Sequence, residues 1–289
     1  MITKFIKKSA LFKICFHKIY INILYYIILY MNAIVFFCFR PPKQLFEFAK
    51  LLKNEMYDVF VSINDNNYII PDYDKNLINI IKVDNDEVLN AGYFNSNNNI
   101  RNQVTSRDKA FYYFNRIIHN DYKYIWFIEE DVFIPTTKTI SNIDKKYPYG
   151  DYMSNSYFIV DNNINNLDNF NNINKEFPFI KYNENYTFYE SWAFFDFNLK
   201  NYFKFPWLKG MTCAIRVSKE FLKQIDNFAN KNKTLIIDEI LYLTLSLHNN
   251  LSIINPIELS PIVYRCDYNL IDKISNYLYW NLNDIREDY

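Results

Sequence analysis

Apolar positions from Ala33 onward fall into blocks whose period changes. Ala33 to Phe39 is a continuous apolar run, Pro41-Pro42 breaks it, and LFEFAKLL then sets Leu45, Phe48 and Leu52 on one helical face. Asp58 to Ile63 returns to a strand-like run. Strand, helix, strand is the opening of a parallel sheet. A short strand is expected around Leu77 to Val83, an Asn-rich loop through 95 to 102, and a helix from Ser106 to His119 on the spacing of Ala110, Phe114 and Ile117. Tyr124 to Pro135, YIWFIEEDVFIP, is apolar on both faces before its acids, which fits a central strand covered on both sides. Residues 162 to 174 read as an Asn-rich surface loop. Phe221 to Phe228 and Ile236 to Leu247 read as helices, and Leu251 to Ile254 as a strand. The pattern predicts an α/β fold: a mostly parallel central sheet flanked by helices, in one domain over 32–270, followed by a helical tail at 271–289.

Residues 1–31 admit two readings. The uncharged run 19–39, preceded by Lys4, Lys7, Lys8, Lys13 and Lys18, has the pattern of a signal anchor and would tie the chain to a membrane. No small-residue cleavage site follows it. If 33–39 is instead the first strand, only 19–31 remains, short of the roughly 17 residues a span needs. The strand reading, with a soluble cytoplasmic protein, is the one preferred.

Composition narrows the classes. A chain of 289 residues, half hydrophobic and 19% aromatic, can bury a sizeable core. Its Asn, Ile, Lys, Tyr and Phe enrichment is what AT-rich coding produces, so an isolated exposed Tyr or Asn carries little meaning. Lys plus Arg balances Asp plus Glu at 32 each, which removes the electrostatic argument for a nucleic-acid partner. Gly92, Gly150 and Gly210 are the only glycines, so neither a dinucleotide-binding turn nor a Walker loop can form. His17, His119 and His248 are scattered, and Cys15, Cys38, Cys213 and Cys266 lack C-x-x-C spacing, which argues against a Cys/His zinc site; the cysteines read as buried thiols.

The acids closing the central strand carry the chemistry. Glu129, Glu130 and Asp131 repel one another and resist desolvation unless a cation joins them. Oxygen ligands without nearby Cys or His suit Mn²⁺ or Mg²⁺, and ligands of open α/β sheets bind outside the carboxyl ends of strands. The plainer alternative is that these acids cap the next turn or face solvent.

Here the chain resembles the GT-A glycosyltransferases, whose acidic D-x-D-type motif closes a hydrophobic strand; Glu129-Glu130-Asp131 takes that place as E-x-D, with the longer Glu side chain first. The resemblance extends more weakly over about 33–265 and implies a GT-A-like catalytic domain with a nucleotide-diphospho-sugar donor and a glycan, protein or lipid acceptor. It implies Asp131 and Glu129 as metal ligands, and Arg107, Asp108, Lys109, Glu129, Glu130 and Arg265 as nucleotide-sugar contacts. Trp207 and Gly210 resemble the acceptor side, and Asp238-Glu239, opening an apolar helix, the acidic pair that supplies the general base of inverting enzymes. Each has a plainer reading: Asp108 and Lys109 as a surface ion pair, Asp238 and Glu239 as acids complementing a helix dipole, Arg265 as a core-edge partner. The resulting expectation is metal-dependent, inverting transfer of a sugar to a hydroxyl. The rivals are a metal-dependent nucleotidyltransferase or nuclease, and a non-catalytic carbohydrate-binding or membrane-tethered protein.

Overall fold

The computed structural model describes residues 31–94, 104–118, 122–155, 157–160, 199–204, 206–262 and 278–280. The described chain begins with β1 (Asn32–Cys38), α1 (Lys43–Leu52), β2 (Tyr57–Ile63), β3 (Asn79–Ile81), α2 (Asn85–Asn90) and α3 (Ser106–Arg116). It continues through β4 (Tyr124–Glu129), β5 (Val132–Phe133), α4 (Thr139–Lys146), β6 (Tyr152–Met153), β7 (Tyr157–Val160), β8 (Trp207–Gly210) and β9 (Ala214–Ser218). α5 (Lys219–Asn232), α6 (Asp238–His248), β10 (Ile253–Ile254) and β11 (Tyr279–Trp280) complete it.

Seven strands form one mixed sheet in the order β10-β6-β9-β4-β1-β2-β3. The apolar run that opens the pattern is its centre: β1 pairs in parallel with β2 and with β4, Val35 lying opposite both Phe60 and Phe127. Asn32 to Cys38 is therefore strand, and no single helix spans 19–39. Residues 1–30 lie outside the described residues, among which no helix is long and apolar enough to cross a membrane. β9 runs antiparallel between β4 and β6, so the sheet is mostly parallel with one reversed strand.

Side-chain alternation sorts the core onto the two faces of this sheet. Ala33, Val35, Phe37, Ile125 and Phe127 pack with α3, α5 and α6 on one face. Ile34, Phe36, Cys38, Trp126 and Ile128 pack with residues of α1 and α4 on the other. α1 turns Phe46, Ala49 and Leu52 inward, whereas Leu45 and Phe48, expected on that face, are only partly buried. Apolar residues occupy most of its circumference, so the sheet chooses the face.

Two further expectations shift. The helix from Ser106 stops at Arg116, and Ile117 is left exposed. Tyr279–Trp280, expected within a helical tail, is a strand antiparallel to β5. The Asn-rich stretch 162–174, Cys15, Cys266 and Arg265 lie outside the described residues. Cys38 and Cys213 are buried, as expected.

Candidate active site

The carboxyl ends of β1, β2 and β4 share one edge of the sheet because the three strands are parallel. β4 ends at Glu129, and Glu130-Asp131 form the turn into β5. All three acids are half-buried. The turn is tied to its neighbours by backbone bonds, Glu129 N–H donating to Cys213 O at 2.7 Å and Glu130 N–H to Phe37 O at 3.1 Å.

Arg107 reaches this edge from the first turn of α3. That turn is set by a capping box in which Asp108 N–H donates to Thr105 Oγ1 and Thr105 N–H donates to Asp108 Oδ2 at 2.8 Å. Asp108, expected to face a nucleotide, thus helps to start the helix. Arg107 Nη2 donates to Glu129 Oε1 at 2.5 Å and to Thr212 O at 3.3 Å, while Nη1 pairs with Asp238 Oδ2. The Phe37 ring flanks the guanidinium at 5.4 Å. Burial disfavours the charge most strongly, but the Glu129 carboxylate together with Tyr242, Cys213 and Asp108 offsets this and holds the guanidinium pKa above its ordinary value.

The Asp238 end is built by α6 and β8. α6 opens without a side-chain cap, and the acids of its first turn complement its dipole. Thr244 on α6 accepts from Leu208 N–H at 2.9 Å and donates to Leu208 O at 3.1 Å, laying β8 along the helix. Thr212, just after β8, donates its hydroxyl to Asp238 Oδ2 at 2.5 Å. The neighbouring Glu239 pairs instead with Lys209 at 3.3 Å. The two acids of this pair thus have different cations. The Cys213 thiol, beside Glu129, is pushed well up by burial and then by that carboxylate.

Glu129 and Asp238 are brought onto one guanidinium, closer together than the order of 10 Å expected for a metal-bound diphosphate and sugar lying between them. Lys109 points away from the acids: fully buried, it donates to Asn64 O and Asn66 Oδ1, each at 2.7 Å, at the end of β2. It is therefore no surface ion-pair partner of Asp108. Trp207 is 3% exposed and donates its ring N–H to Phe203 O, and Gly210 is buried in β8. Thr212, Lys209 and Phe37 were not legible as site residues, because a threonine in a loop and a lysine in a strand carry no local signal of what they will face.

Among the described residues, no group of three or more His, Cys, Asp or Glu side chains is disposed to hold a metal ion. Mg²⁺-like ions, however, are ordinarily held by one or two carboxylates, with substrate phosphate and water completing the shell. The turn Glu129 to Asp131 offers oxygen donors only, the donor type such ions take. No protein-family model matches the chain, and comparison with curated proteins finds no significant match.

Proposed function

We propose that the protein is a GT-A-like, metal-dependent glycosyltransferase that moves a sugar from a nucleotide-diphospho-sugar to an acceptor hydroxyl. The observation that carries this reading is the meeting of Glu129, at the carboxyl end of a central parallel strand, with Asp238, at a helix start remote in sequence, on the Arg107 guanidinium. A leaving-group side and a proton-accepting side then lie at one sheet edge, where open α/β sheets bind ligands.

Asp131 and Glu129 would hold Mn²⁺ or Mg²⁺, which when bound supplies Lewis-acid stabilisation of the leaving diphosphate. Asp238 is the candidate base, since it shares the guanidinium with Glu129 while Glu239 is held by Lys209. The acceptor oxygen bonds to the anomeric carbon as the bond from that carbon to the diphosphate oxygen breaks. The nucleoside diphosphate leaves with the electron pair, and the acceptor proton passes to the Asp238 carboxylate. One displacement without a covalent intermediate inverts the anomeric centre.

The test is a panel of nucleotide-sugars, followed by thermal stabilisation and by hydrolysis or transfer with and without Mn²⁺. Asp131→Asn should abolish Mn²⁺-dependent donor binding. Asp238→Asn should spare that binding and lower turnover by about 10²–10⁴-fold, the usual share of a general base. Metal dependence and transfer both unchanged in Asp131→Asn would remove the acidic turn from the chemistry.

A further inference from the structure

Arg107 is the counter-charge of two acids but is incompletely satisfied itself. Its Nη atoms serve Glu129, Asp238 and the Thr212 carbonyl, while its buried Nε makes no hydrogen bond among the described residues. A buried donor left without an acceptor costs free energy, so this arrangement holds the arm in place without exhausting what it can bind. Two carboxylates, Glu129 and Asp238, share this one guanidinium, while Glu239 pairs with Lys209. An entering divalent cation would be drawn to the Glu129 carboxylate that Arg107 now occupies.

We infer that Arg107 is an exchangeable counter-ion: a divalent cation displaces its guanidinium from Glu129, and the arm, still beside Asp238, turns its freed Nη2 and its Nε to an incoming anionic oxygen. This rests on the proposed metal-dependent reading and adds a coupling between its two ends. Because one guanidinium serves both acids, occupation of the leaving-group side leaves that guanidinium to Asp238 and the incoming anion alone. Arg107 is thus a positioning residue, acting on the base through a shared salt bridge. The cation–π contact with Phe37 keeps the guanidinium at the sheet edge while its partners change.

The experiment uses the full chain and the metal alone. Mn²⁺ binding is titrated by electron paramagnetic resonance of the free ion in the wild type, Arg107→Met and Lys209→Met. Loss of the competing cation should tighten Mn²⁺ binding by about tenfold or more in Arg107→Met, and by less than about threefold in Lys209→Met, whose partner is Glu239 and whose effect is only a more distant charge. Equal changes in the two variants, or none, overturn the inference. Should Arg107→Met fail to fold by near-ultraviolet circular dichroism, the wild type decides. Its Arg107 Nε–H resonance, assigned by its disappearance in Arg107→Lys, should shift on titration with Mg²⁺, and an unmoved resonance at saturation overturns the exchange. Exchange observed without binding or turnover of any nucleotide-sugar leaves this inference standing and removes the glycosyltransferase reading; turnover without exchange does the reverse.

Discussion

Lys109 has no exposed surface, and burial lowers its pKa from 10.5 to about 8, only partly opposed by Asp84. The folded ammonium releases its proton near pH 8, whereas the unfolded chain keeps it to about 10.4. Between those values the unfolded state binds more protons, so the stability contributed by this residue rises with pH, by at most about 3 kcal/mol at 1.36 kcal/mol per unit. Urea unfolding from pH 7.5 to 10 should show this rise in the wild type, and Lys109→Met should flatten it. A second residue-scale prediction concerns Asp144, which accepts from Arg216 Nη1 at 2.7 Å, Tyr57 OH at 2.5 Å and Trp126 Nε1 at 3.1 Å. Arg216→Met would strand that buried carboxylate and should cost about 3–5 kcal/mol in urea unfolding, whereas an exposed ion pair would cost under about 1 kcal/mol. Neither Lys109 nor Asp144 can be told from a surface residue in the sequence, because each is defined by partners remote along the chain.

Elements were legible wherever one period persisted. Tyr124 to Glu129 reads as a doubly covered strand because apolar residues fill both of its alternating faces, and it is β4. α5 and α6 likewise follow from their apolar spacing, although α6 starts at Asp238, later than the pattern from Ile236 suggested. Face and ending were harder to read, as α1 and Tyr279–Trp280 show: an apolar arc broader than the buried face leaves that face open, and a two-residue strand exists only because β5 offers an edge. The start of α3 supports a prediction at this scale. Thr105→Ala removes the capping box and should cost about 1 kcal/mol, measurable as a lower urea midpoint, with a loosened Arg107 arm. Gly92, at φ 84, closes α2 against α5, and an added Cβ would lie 2.6 Å from Ala229 O. Gly92→Ala should therefore cost more than the cap, on the order of 1–3 kcal/mol, and equal midpoints for the two variants would contradict this.

At the scale of the whole molecule, the two core clusters lie on opposite faces of the same strands, so neither can dissolve while the other keeps its sheet. Phe111→Ala on one face and Ile128→Ala on the other should each lower the urea midpoint with an unchanged slope, and far- and near-ultraviolet circular dichroism should give one coincident transition; separated transitions would show that the faces unfold independently. What the sequence determined by itself was local: which segments are strands or helices, that β1 and β4 are buried on both faces, and that acids end β4 and begin α6. Those properties follow from residue period and from the cost of burying charge, which act over a few neighbouring positions. The tertiary structure decided strand order, the reversal of β9, and with them the meeting of Glu129, Arg107, Thr212 and Asp238. An ion pair acts through space between elements whose adjacency depends on how the strands are ordered, and a residue's immediate neighbours carry no record of that order.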